Sequence, residues 1–460
     1  MTPLEPWICL LLGGLFSALY VGRWVLQPAA WLAPIFFLHF VRGAAHPAAF
    51  LLLWLVFYAG VAIANRGVIP APGGIYWGVV AGITTIFSLP FLVDRLVTPH
   101  WPGYTATLVF PVAMAAADYV NARFLPGGAW GSPAHSQYGD LPLVQVASVA
   151  GIHGITFLVA WAASVSCWAW DHGFAWDVVG TGVLATAGIL VLILLLGAAR
   201  LTRGRSRPGA GRTIRVAGIV YPTQVVERAQ VAGVLGGTIA GAERDAVRAR
   251  MREAQDWFLE GTAREARAGA SLVVWPEADC LVYKEDEPAF LERVRRAAAE
   301  ARIHVVAAMA VIEPGAARPF DNRASLIGPD GAVLFTYVKS RPVPGWEASV
   351  ARRGDGRLGI ADTPLGRIAV AICYDMDFPS LIRQAGRARA DLLIAPANDW
   401  PAIKELHWRM ATFRAVENRV AMVRVTKMGV SGAVDACGRV LAVVDETRGG
   451  APALVAEVEV

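Results

Sequence analysis

The stretch RIAVAICYDMDFP, residues 367–379, decides how the second half of this chain is read. Its apolar run from Ile368 to Ile372 ends in a cysteine, and an acidic turn closed by Pro379 follows. A short continuous apolar run bounded by turn residues fits a strand buried on both faces. Side chains at the exits of such strands are held by a rigid sheet yet face a cleft. Cys373 therefore sits where a layered α/β fold collects its chemistry.

On either side the same grammar continues from Arg212 onward. TIRVAGIV, SLVVWPE, HVVAAMAVI, DLLIAPAND, AMVRVTKMG and ALVAEVEV read as strands. Between them, residues 243–268, 287–302, 379–389 and 407–419 carry helical patterns. NRASLIGPDGAVLFTYVKS and GAVDACGRVLAVVD read as hairpins, the first turning at Pro329, Asp330 and Gly331. Residues 213–460 are enough to bury one full core, and the alternation predicts a layered α/β sandwich.

The first half obeys a different solvent. The whole chain of 460 residues is 55% hydrophobic and only 17% charged, and the apolar excess lies almost entirely before Arg200. Apolar runs at about 7–22, 28–41, 47–64, 73–93, 103–117, 152–170 and 178–199 predict a membrane α-helical bundle of about seven spans over residues 1–200. No basic segment precedes the first run and further runs follow it, so it does not read as a cleaved leader. Trp7, Trp24, Trp77, Trp101 and Trp170 fall near the ends of runs, as a headgroup belt requires. Residues 201–212 form an arginine-rich linker.

The net charge of +5 owes much to that linker, and no aromatic-and-basic pattern accompanies it, which speaks against nucleic acid. The five cysteines, Cys9, Cys167, Cys280, Cys373 and Cys437, are widely spaced, with no C-x-x-C pair and no histidine cluster at ligand spacing. The sequence by itself offers no metal site, cofactor motif or disulfide framework.

Three strand exits carry reactive groups: Glu277 after SLVVWP, Lys339 after VLFTYV and Cys373 after IAVAI. Together they are a base, a cation and a nucleophile. A thiol attacks only as thiolate, and an ordinary pKa near ~8.5 leaves little of it at neutral pH, so a base must help. A partly desolvated Glu277 suits proton transfer, and the Lys339 ammonium suits a developing oxyanion. Taken singly, each residue also has an ordinary structural explanation: a small core cysteine, a loop carboxylate, a solvated hairpin lysine.

Glu, Lys and Cys in this order, within VVWPE, YVKSRPVPGWE and AICYD, resemble the nitrilase or carbon-nitrogen hydrolase superfamily. The apolar first half, the segment WGSPAHSQYGDLPLVQVASVAGIHGITFLV at 130–159 and the helix HWRMATFRAVENR from His407 are similar to its membrane branch, the apolipoprotein N-acyltransferases. The resemblance implies an α-β-β-α sandwich with Glu277 as base, Lys339 as oxyanion stabiliser and Cys373 as nucleophile. It maps supporting roles onto Glu347, Tyr374 and Asp375. It further implies acyl transfer from a phospholipid, through a Cys373 thioester, to the N-terminal amine of an S-diacylglyceryl-cysteine lipoprotein. The expected setting is a bacterial inner membrane, with the catalytic domain on the periplasmic or outer face and without cofactor or metal. The chain departs from the branch pattern at Gly345-Trp346, at Trp400-Pro401, at Asp375 in place of glutamate, and in ending at ALVAEVEV without a closing span. These departures keep open an alternative, a membrane-anchored amidohydrolase or an N-acyltransferase for another amine or amide.

Overall fold

The computed structural model describes residues 5–44, 46, 48–203, 212–227, 230–448 and 453–460. Most of the expected linker, including Arg205 and Arg207, lies outside these residues. The chain divides into two compact units, Met1–Arg205 and Ser206–Val460.

The first unit is helical: α1 (Glu5–Tyr20), α2 (Gln27–Gly43), α3 (Ala49–Asn65), α4 (Gly73–Val97), α5 (Val109–Phe124), the short α6 (Leu141–Val144), α7 (Ala147–Asp171) and α8 (Trp176–Arg203). Gly73–His100, Ala147–Asp171 and Trp176–Thr202 are long and apolar enough to cross a membrane; Glu5–Tyr20 and Ala49–Asn65 are shorter apolar helices. On α8, Leu184, Val191, Leu192, Leu195 and Leu196 are each more than half exposed. An apolar face of that extent is unstable against water and natural against lipid. Small residues let the helices approach, as lipid-embedded packing requires: a Cβ on Gly60 would lie 2.9 Å from Ser17 Oγ and 3.0 Å from the Gly14 carbonyl.

Contacts among helix ends fix the path. Glu5, His39, Asp94 and Asp171 gather at one end, bringing together the start of α1 and the ends of α2, α4 and α7. At the other end Arg200 of α8 donates to Ser148 at the start of α7, and Gln137 bonds Trp31 and the Gln27 carbonyl of α2. The seven long helices thus run alternately up and down the bundle.

The second unit holds β1 (Thr213–Ile219), α9 (Val231–Gly236), α10 (Gly241–Arg267), β2 (Leu272–Val274), β3 (Cys280–Tyr283), α11 (Glu287–Ala301), β4 (His304–Ile312), β5 (Phe320–Ile327) and β6 (Val333–Val338). It continues through α12 (Trp346–Val350), β7 (Gly359–Thr363), β8 (Gly366–Val370), α13 (Pro379–Arg387), β9 (Leu392–Asn398), α14 (Lys404–Asn418), β10 (Ala421–Lys427), β11 (Val430–Val434), β12 (Val440–Asp445) and β13 (Ala453–Glu459). One sheet runs β13-β1-β2-β4-β5-β6, with β3 paired to β4; the other runs β12-β11-β10-β9-β8-β7. Where β1 meets β10 the sheets touch so closely that a Cβ on Gly218 would lie 2.4 Å from Val425 Cγ2. α10 and α11 cover the first sheet, where Phe258 and Phe290 flank Trp275; α14 covers the second, with α13 packed beside it. This is the expected α-β-β-α sandwich.

Candidate active site

The first sheet delivers a carboxylate and an ammonium. Glu277 leaves β2 through Pro276, and the next residue, Ala278, takes a left-handed φ of 51° that turns the chain out of the sheet. Lys339 follows β6, pinned by its own N–H to the Asn322 carbonyl at 2.9 Å. Both side chains are buried. Lys339 Nζ donates to Glu277 Oε1 at 2.6 Å and to Glu347 Oε2 and Oε1 at 2.8 and 3.0 Å. Glu347 opens α12, and its Oε2 also accepts the Val343 N–H at 2.7 Å. From β5, Asn322 Nδ2 donates to Glu277 Oε1 at 2.7 Å and to Glu347 Oε1 at 2.9 Å, closing the cluster.

The second sheet delivers the sulfur. Cys373 ends the run of β8 with φ 47°, a strained conformation for a residue with a Cβ. Its Sγ lies 3.8 Å from the Asn398 carbonyl at the end of β9, and Asn398 Nδ2 reaches back to the Glu277 carbonyl at 3.3 Å. Burial pushes the Cys373 thiol well above its ordinary value and Glu277 adds to this, while Lys339 opposes it. For Lys339, burial alone lowers the pKa, but Glu277, Glu347 and Cys373 together hold it well above the usual lysine value. The resting site is therefore a neutral thiol beside an ammonium shared by two carboxylates.

Asp375 has a positional task. Its carboxylate accepts the Ile372 N–H at 3.0 Å, the Arg341 N–H at 2.8 Å and the Tyr337 hydroxyl at 2.7 Å. Complete burial lifts its pKa to about 7 against these hydrogen bonds. It ties the turn carrying Cys373 to the segment after Lys339. Tyr374 packs edge-on against Phe378, with ring centroids 5.3 Å apart. Ala278, Asn398 and Trp346 line one cavity of about 280 Å³, walled further by Phe320, Ile312 and Leu281.

Two family models divide the chain as the fold does. Carbon-nitrogen hydrolase matches residues 241–459, and Apolipoprotein N-acyltransferase N-terminal domain matches residues 13–165. The chain belongs to the apolipoprotein N-acyltransferase family. Curated relatives carrying that name include one from Geobacter metallireducens, 27% identical and covering 95% of this chain and 87% of its own. Another, from Pseudomonas aeruginosa, is 26% identical over 83% of this chain and 74% of its own. Among solved structures, an amidase from Nesterenkonia sp. aligns with a TM-score of 0.45 at 19% identity, over 55% of this chain and 94% of that one. With its apolar helical unit, this family member is a membrane protein.

A second buried network, missed in the sequence, stands behind the sulfur. Asp399, just past β9, takes Arg424 Nη2 of β10 at 2.8 and 2.9 Å and faces His407 Nδ1 of α14 at 2.7 Å. His407 Nε2 faces Asp377 Oδ1 at 3.4 Å. Burial depresses His407, but Asp377 and Asp399 outweigh it and raise its pKa to about 9. Burial likewise raises Asp399, and Arg424 and His407 overcome this to hold it below the usual carboxylate range. The available signals were the end of APAND and the histidine opening HWRMATFRAVENR. Asn322 carried none, because a strand asparagine shows nothing until its partners 45 and 25 residues away are placed.

Proposed function

We propose that this family member transfers a fatty acyl chain from a phospholipid, through a thioester on Cys373, to the N-terminal amine of an S-diacylglyceryl-cysteine lipoprotein, in a bacterial inner membrane. The observation that carries the chemistry is the Lys339 ammonium clamped by Glu277 at 2.6 Å and Glu347 at 2.8 Å beside a buried thiol. Glu277 takes the Sγ proton as the sulfur attacks the ester carbonyl of the donor. The oxyanion that forms is met by Lys339, which is already fixed and needs no reorganisation. As the intermediate collapses, the carbon–oxygen bond breaks, and protonated Glu277 returns the proton to the departing lysophospholipid oxygen. The acceptor amine then attacks the thioester, Glu277 removes the amine proton and hands it to the sulfur as the carbon–sulfur bond breaks, and the thiol and the carboxylate are both restored.

Glu347 and Asn322 act through Lys339 and Glu277 as positioning residues, and Asp375 through the Cys373 turn. Cys373, Glu277 and Lys339 are all at most 4% exposed. A thioester formed there is screened from bulk water, which favours the amine over hydrolysis.

Purified protein incubated with phospholipid should gain one acyl mass that is hydroxylamine-labile and absent in Cys373→Ala, and should pass it to a diacylglyceryl peptide. Free acid released with no transfer to the peptide would instead make this a hydrolase.

A further inference from the structure

The ends of four helices in the first unit bring polar groups together at one end of the bundle, where the carboxylates outnumber the guanidinium that pairs with them. Arg42, at the end of α2, is taken up by Asp94 of α4 in a two-pronged pair, Nε to Oδ2 at 2.8 Å and Nη2 to Oδ1 at 2.9 Å. Beside it stand His39, Cys167 and Asp171. His39 Nδ1 is 3.0 Å from Asp171 Oδ1, and Cys167 Sγ is 3.7 Å from Asp171 Oδ2. One donor atom from each of the three lies within 4.8 Å of the others. Buried His39 Nε2 makes no hydrogen bond and faces Glu5 Oε1 of α1 at 3.5 Å. Among the described residues three carboxylates, Glu5, Asp94 and Asp171, thus gather around one guanidinium, since the nearby Arg95 donates to the Ala44 and His46 carbonyls instead, and the cluster carries a negative excess when His39 is neutral. Unbalanced charge at a low-dielectric site is costly, and a cation removes the cost.

The donor set says which cation. Cys167 and Asp171 are four residues apart on α7 and so share a helix face. His39 comes from α2, its ring stacked on Trp170 at 4.1 Å and 13°, which fixes its orientation. One imidazole nitrogen, one sulfur and one carboxylate oxygen suit a borderline-soft divalent ion such as zinc or cobalt(II) rather than magnesium or calcium. Metal–ligand bonds of about 2.0–2.3 Å give tetrahedral edges of ~3.3 Å between nitrogen and oxygen and ~3.6 Å between sulfur and oxygen. The 3.0 Å between His39 Nδ1 and Asp171 Oδ1 is within a few tenths of an ångström of the first edge, and Cys167 Sγ lies 3.7 Å from the other oxygen of the same carboxylate. Arg42 Nη1 holds Asp171 Oδ2 at 3.3 Å, an outer contact that leaves Oδ1 as the ligand. The Asp171 side chain is 30% exposed, which gives an ion a way in and a water a fourth position.

We propose that His39, Cys167 and Asp171, with Glu5 close by, form a divalent transition-metal site that fastens α1, α2 and α7 at this end of the bundle. Binding releases the Cys167 thiol proton to solvent and forms the metal–sulfur bond.

The test uses full-length protein in detergent micelles carrying Cys373→Ala. That substitution removes the sulfur of the other close group, Cys373 with Asp399 and His407. Titration with Co²⁺ should give one ion per chain and a thiolate-to-cobalt charge-transfer band that Zn²⁺ abolishes by displacement and Mg²⁺ does not. Cys167→Ser, an isosteric change, should lose the band, and Asp171→Asn should weaken cobalt binding at least tenfold. A melting curve in the absence of metal checks that each variant remains folded. No charge-transfer band, or one that survives Cys167→Ser, overturns the proposal.

Discussion

At the level of single residues, Lys339 is where stability and rate separate. Removing it leaves Glu277 and Glu347 facing each other without their shared cation, and breaking a buried pair costs about 3–5 kcal/mol. Lys339→Ala should therefore lower the melting temperature as well as slow Cys373 acylation by ~10²- to 10³-fold, the usual loss for one oxyanion donor. Adding Glu347→Ala should restore part of the stability and none of the rate, because the repulsion goes but the donor does not return. His407 gives a pH signature. Its folded pKa of about 9 lies above an unfolded value near ~6.5, so its stabilisation is complete below pH ~6.5 and is lost as pH rises through about 9. The stability difference between the native chain and His407→Gln should shrink by about 3 kcal/mol across that window in denaturant titrations; a flat difference contradicts the charge assignment. Glu277, Lys339 and Cys373 were legible as candidates because each ends an apolar run. The partners that fix their environment were not: Asp399 and Arg424 are 25 positions apart and meet only when β9 and β10 pair in parallel.

Among the elements, the strands buried on both faces, β4, β9 and β10, were read close to their ends, since an unbroken apolar run between turns has few other uses. β3 and β7 escaped. CLVY is only four residues long, and GIADT mixes glycine, aspartate and threonine at the edge of its sheet, where pairing rather than composition makes the strand. The stacking of the two sheets was equally invisible, though one glycine reports it. Gly218 lies on β1 against Val425 of β10, and its φ is not in the left-handed region, so the demand there is for space. Gly218→Ala should cost ~1–3 kcal/mol through overpacking, and Gly218→Ala with Val425→Ala should recover most of it. Thermal melts of the four members of that cycle decide the matter: additive losses would mean that the two residues do not compete for one volume.

For the whole molecule, the alternating path of the seven long helices puts the start of α1 and the end of α8 at opposite ends of the bundle. If all seven cross the bilayer, the N-terminus and the α/β unit lie on opposite sides, and the proposed acyl transfer places the α/β unit outside. The arginine distribution taken alone argues the reverse, because Arg200, Arg203, Arg205, Arg207 and Arg212 follow the last span. Yet the positive-inside bias acts through short loops, whereas long domains cross largely regardless of charge, and this linker leads into about 250 residues. Before Arg200 the helix ends are nearly balanced, with Arg42 and Arg95 at one end and Arg23, Arg66 and Arg123 at the other, and no lysine. An alkaline phosphatase fused after Val460 should therefore be active in intact cells, and a green fluorescent protein fused there should be dark. A bright fluorescent fusion with inactive phosphatase would put Cys373 in the cytoplasm and remove the lipoprotein amine from its reach.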